Sequence, residues 1–181
     1  MCSRMIFTLS LLLVTVASRA QNATSRTYTA NGRTFTYTLT VFDPPIVIQP
    51  DSSRLNQNSA VNCTILFISK LSKGDIAGAA ALTNDAEATL KVYSDAKARI
   101  GDTEFSKQMS GLFNGDRYRY ELVEGHEHFL IGEKVPKGAQ AVIEKDGVFW
   151  MDHPKFEHES QEFHDLFVLV NDHAAGKVEF K

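Results

Sequence analysis

The chain has 181 residues, of which 43% are hydrophobic and 23% charged, and a formal net charge of −3. This size and composition fit one globular domain with an extension and exclude a disordered acidic chain. The negative balance excludes a nucleic-acid binder that works through a basic face.

The N-terminus carries a targeting pattern. Arg4 precedes the apolar run Ile6 to Val16, and Ala17-Ser18-Arg19-Ala20 ends in small residues. The pattern predicts a signal peptide over residues 1–20, cleaved after Ala20, and an exported protein, periplasmic or secreted. The apolar run is shorter than the roughly 20 residues that cross a bilayer core, so no membrane span is expected after cleavage. Cleavage removes Arg4 and Arg19 and no acid, which makes the remainder more negative. It also removes Cys2. Cys63 is then alone among Val61, Ile65, Leu66 and Phe67, so no internal disulfide is expected and the thiol reads as a small buried hydrophobe.

Residues 21–58 read as an N-terminal extension and linker. Thr34, Thr36, Thr38 and Thr40 alternate with Phe35, Tyr37, Leu39 and Val41, and Asn31-Gly32 precedes them. Asn-Gly supplies the positive φ values of a tight turn, which predicts a β-hairpin over about 26–42. Asp43-Pro44-Pro45 is expected to end the second strand, because proline cannot donate to a ladder. Ile46 to Ile48 then forms a brief extended piece, Pro50-Asp51-Ser52-Ser53 a turn, and Arg54 to Asn58 a connector.

Residues 59–181 read as the main domain. Ser59 caps a helix with Val61, Ile65, Leu66, Ile68 and Leu71 at near-helical spacing, which ends at Lys73-Gly74. Asp75 caps a second helix, Ile76 to Leu82. Leu90 and Val92 suggest a short strand, with helix as the alternative over 87–98. Gly101-Asp102 opens a helix with Phe105, Met109, Leu112 and Phe113 on one stripe, closed by Asn114-Gly115. Strands follow: Tyr118, Tyr120 and Leu122 alternate with Arg117, Arg119 and Glu121, and His126, His128 and Leu130 alternate in the next. Pro136-Lys137-Gly138 turns into Ala139 to Ile143, and Asp146-Gly147 turns into Val148 to Met151. Phe163 to Val170 reads as a strand and Lys177 to Lys181 as a last one.

This order resembles the nuclear transport factor 2-like superfamily, the α+β cone that includes polyketide cyclase-like proteins. The resemblance rests on Leu71-Ser72-Lys73-Gly74-Asp75-Ile76 followed by Ala79-Ala80-Ala81-Leu82, on Thr83-Asn84-Asp85-Ala86, which resembles the approach to the family's first strand, and on Gly101-Asp102-Thr103-Glu104-Phe105. It covers about residues 59–181 and implies N-terminal helices packed in a curved antiparallel sheet, here preceded by an extra β-hairpin. It further implies a pocket at the open end and, in many members, a homodimer through the sheet. The matching motifs are structural and carry no catalytic assignment.

All six histidines lie after residue 125. His126 and His128, two apart in a strand, would share a face, but no further ligand stands at a fixed spacing, so no metal site and no cofactor are assigned. For proton transfer the candidates are His128 or His164 as base with Asp152 or Asp165 as partner. A strand at Phe163 would turn His164 and Asp165 to opposite sides. Tyr118, Tyr120 and Trp150 are the candidate ligand-binding aromatics, drawn from a set that also holds Phe129, Phe149, Phe163 and Phe167. The sequence therefore supports a domain that binds a small, largely apolar ligand or a partner protein without committed catalysis. One alternative is an isomerase, cyclase or lyase acting by His/Asp proton transfer. The other is an interaction module using the N-terminal hairpin for strand addition.

Overall fold

A computed structural model describes residues 22–48, 55–113, 116–133, 139–152 and 160–180. The expected signal peptide, the turns at 50–53 and 136–138, the Asn114-Gly115 helix end and residues 153–159 lie outside these residues. The described fold is α+β. A six-stranded antiparallel sheet runs in the order β1-β2-β3-β4-β5-β6, with five helices around it.

β1 (Asn22–Ala30) and β2 (Arg33–Val47) pair through the turn at Asn31-Gly32, whose φ values of 51° and 78° suit Asn and Gly. β2 does not stop at the prolines. It resumes pairing with β3 (Arg117–Glu124) at Ile46↔Tyr118 after leaving it at Val41↔Tyr120. The segment between bulges out of the ladder, so neither Pro44 nor Pro45 has to donate to it. Because β2 lies against β3, the sheet is continuous across the boundary expected near residue 58.

β4 (Glu127–Gly132), β5 (Ala139–Lys145) and β6 (Val148–Met151) complete a meander. β5 turns into β6 at Asp146-Gly147, both at positive φ. A register shift between Tyr118 and Tyr120 on β3 leaves Arg119 unmatched, since Tyr118 faces Gly132 and Tyr120 faces Ile131. Strand alternation would have put both tyrosines on one side. The bulge sends Tyr118 into one core and Tyr120 toward the other.

The two faces of the sheet carry separate cores. On the first face lie α1 (Ala60–Ser72), α2 (Ile76–Ala80), α3 (Ala86–Ile100) and α4 (Asp102–Phe113). Ser59 Oγ accepts from the Asn62 N–H, capping α1. Ala60, Cys63, Thr64, Phe67, Ile68 and Leu71 recur at three- and four-residue steps and are all buried, against Leu130, Val142 and Met151 of the sheet. Burial pushes the Cys63 thiol up to about 11, which suits a packing role. Asp75 Oδ1 caps α2 through the Gly78 N–H at 2.9 Å.

The stretch holding Leu90 and Val92 is helix, not strand. Asp85 caps α3 by accepting from the Ala88 N–H, and Thr89 and Tyr93 turn inward four residues apart. Leu90 and Val92 face outward and are exposed. Their alternation therefore reflects surface apolar residues rather than a pleated face. Asp85-Ala86, taken as the approach to a strand, is this helix start.

On the second face lies α5 (Gln161–Ala174). The short, dense apolar run Phe163 to Val170 suggests a strand, but the segment is helical. The Ser160 hydroxyl caps it from the Phe163 N–H at 3.0 Å, and Phe163, Leu166, Leu169 and Val170 bury one helical stripe on Phe35, Tyr37, Leu39, Leu122 and Phe129. Residues 178–180 follow as an irregular tail rather than a strand, with Phe180 buried in the same core. Among the described residues no helix is long and apolar enough to cross a membrane.

Candidate functional site

The β3–β4 turn is Gly125-His126, so Glu124 pairs with Glu127 and Val123 with His128. That register takes His126 out of the strand and exposes it, so the two histidines do not share a face. It also sets Glu121 diagonally beside His128 on the first face. His128 Nδ1 lies 2.9 Å from Glu121 Oε1. A carboxylate can only accept there, so Nδ1–H donates and, in the neutral ring, Nε2 carries the lone pair. Nε2 is buried without a hydrogen-bond partner among the described residues, and Glu144 Oε2 stands 3.9 Å from it. Phe149 closes edge-on at 5.1 Å between ring centres. The result is an imidazole oriented by one carboxylate, with its second nitrogen near another. An orienting carboxylate behind a histidine base is a recurring arrangement in proton transfer.

The other proton-transfer candidates are not gathered there. Asp165 is buried, but on α5 and hence on the opposite face from His128, where it accepts from Arg33 Nε at 2.8 Å and Gln161 Nε2 at 2.9 Å. His164 is exposed on α5. In a helix these neighbours stand about 100° apart, so one reaches the sheet while the other meets solvent. Asp152, just after β6, accepts a hydrogen bond from Asn84.

Of the aromatic candidates, Tyr118 is a core residue with a buried, unpartnered hydroxyl, and burial raises its pKa above the ordinary tyrosine value. Trp150 is half-buried on β6, at the edge of the sheet. Phe129 and Phe163 pack in the second core, and Phe167 is exposed.

Tyr120 lines an open cleft of about 410 Å³ with Arg119, Ile131, Glu133 and His173. The bulge that flips Tyr120 also sets Arg119 at this rim. One wall is an aromatic group: His173 stacks on Phe180 at 4.1 Å, and Tyr120 meets Phe180 edge-on at 5.3 Å. His173 Nδ1 lies 2.8 Å from the Val178 carbonyl, which can only accept, so the ring is fixed with its Nδ1–H spent. Sequence reasoning missed His173 because it assigned the tail to a strand. The Phe180 side chain, seven residues on, was the available signal.

Two further acids crowd the end of the sheet on the second face. Among the described residues, Glu124 and Glu127 each keep one carboxyl oxygen buried without a partner, while Ser160 donates to the other oxygen of Glu127 at 2.9 Å. Among the described residues no group of three or more His, Cys, Asp or Glu side chains is arranged to hold a metal. No protein-family model, no curated protein and no solved structure matches the chain.

Proposed function

We propose that this chain is an exported domain of the nuclear transport factor 2-like class that binds a small organic molecule without committed catalysis. The binding place is the cleft of Arg119, Tyr120 and His173. The observation that supports it is the cleft's make-up. A volume of about 410 Å³ falls in the range of small-molecule sites. It joins a guanidinium, which pairs with a carboxylate in a planar fork, to fixed aromatic rings that cover an apolar body. The test is a thermal-shift and NMR screen of small aromatic carboxylates. Binding should perturb the Tyr120 and His173 signals and weaken at least about tenfold in Arg119→Ala. A screen in which every hit leaves those signals unmoved contradicts this reading.

A second reading is favoured by the Nε2 of His128. In it the domain is an enzyme that moves a proton next to a small carbonyl, with His128 as base and Glu121 orienting it. Its test is exchange of ketone α-protons in heavy water followed by NMR. Exchange abolished in His128→Gln supports it, and an identical rate in wild type and variant removes it.

A further inference from the structure

The carboxyls at the β3–β4 turn hold α5 against the sheet by a means the ligand reading does not use. Glu124 and Glu127 stand directly opposite each other across the hairpin. Each has a buried oxygen with no hydrogen-bond partner among the described residues, and Glu127 is only 4% exposed. Buried carboxylate oxygens left bare are costly when ionised and much less so when one acid keeps its proton. Ser160, the cap of α5, ties its hydroxyl to Glu127 while accepting from the Phe163 N–H. The first turn of α5 thus hangs on one side of this acid pair. Glu162 packs over Gly125, whose added Cβ would stand 3.2 Å from its Cγ.

We propose that Glu124 and Glu127 form a proton-operated clasp: Glu124, whose buried oxygen faces the acids of α5, keeps its proton when the N-terminus of α5 is docked, and the clasp loses its grip when both acids ionise. Among the described residues, charged groups reach it from α5, β2, β4 and the end of β6. Glu162 and Asp165 on α5 and Asp152 after β6 disfavour a second negative charge, whereas Arg33 on β2 and His128 on the far face of β4 favour it. His126 in the turn is exposed. The acids outnumber the cations. Burial, then Asp165 and Glu162, push Glu124 up to about 7, and burial raises Glu127 as well. Both ordinary values are 4.5, so the docked state holds protons that the undocked state releases. Docking is then strongest at pH values below about 4.5 and weakens as pH rises through 7.

The test is thermal unfolding of the whole protein from pH 5 to pH 8, together with hydrogen-exchange protection factors, corrected for the intrinsic rate, at the amides of residues 163–166. Wild type should lose about 3 °C in midpoint over that range, a modest figure because Glu124 is half-buried and partly screened. Protection at α5 should fall while protection at α1 holds. Glu124→Gln, which cannot ionise, should flatten both pH profiles while keeping the fold. Should Glu124→Gln fold poorly, Asp165→Asn, which removes a charge that raises Glu124, should move the profile to lower pH. A wild-type profile that is level from pH 5 to pH 8, or one with the same slope in the variants, overturns the proposal.

Discussion

The two faces of the sheet hold their helices by different means. On the first, α1 lies on Leu130, Val142 and Met151 through a mainly apolar stripe. On the second, only the middle of α5 is apolar. Its N-terminal end hangs on Asp165–Arg33 and Ser160–Glu127, and its C-terminal end on Tyr28 Oη donating to Asp172 at 2.8 Å. Hydrophobic attachment is indifferent to pH, whereas carboxyl attachment is not. The ends of α5 should also respond in opposite senses. Lys177 and then Tyr28 hold the Asp172 carboxyl below its ordinary 3.8, so its contribution is present at neutral pH and is lost as pH falls below that value. The N-terminal clasp loosens as pH rises. The same helix is therefore tethered most completely in mildly acidic solution.

The largest effects should come from the two apolar centres, where the faces behave alike. Leu130→Ala and Leu166→Ala, both fully buried, should each cost about 2–5 kcal/mol in urea unfolding. They should part in hydrogen exchange: Leu166→Ala releases α5 first, and Leu130→Ala lowers protection throughout α1. Next, Asp165→Ala should cost about 1–3 kcal/mol by stripping Arg33 and Gln161 of their acceptor, at the lower end because Arg33 is half exposed. Gly132→Ala sharpens the comparison from the bulge side. An added Cβ would meet the buried Asp116 carboxylate at 2.8 Å, so a loss of about 1–3 kcal/mol is expected by denaturant melt. Ser160→Ala should cost about 1 kcal/mol as a lost cap and should raise the pH sensitivity of α5, since Glu127 loses its donor. Tyr28→Phe should cost least, about 0.5–1.5 kcal/mol, read from the same melts at pH 7.

Much of the first face could be read from sequence because its signals are local. Ser59 and Asp75 are helix caps with their partners three residues away, and Asn31-Gly32 and Asp146-Gly147 sit at the positive φ that those residue pairs advertise. The second face was misread where local pattern and tertiary packing disagree. Phe163 to Val170 looks like a buried strand until Ser160 is seen as a cap and the inward residues are counted at three- and four-residue steps. At the candidate site, His128 could be singled out, but its partners could not. Glu121 and Glu144 reach it only through registers set by a two-residue turn at Gly125-His126 and by the pairings of β4 with β5, and counting His126 into the strand hides both. Tyr118 and Tyr120 were separated by a bulge at Arg119, which no alternation pattern announces.

The central claim is that α5 is fastened at its N-terminal end by carboxyls that hold their protons above the ordinary glutamate range. It is tested most directly by a carbon-13 NMR titration of the glutamate side-chain carboxyls from pH 3 to pH 9. The account predicts that Glu124 titrates near about 7 and that Glu127 titrates above its ordinary 4.5, with the amide signals of the first turn of α5 shifting along the same curve. Titration of both carboxyls at 4.5, with the α5 amides unmoved near pH 7, would contradict it.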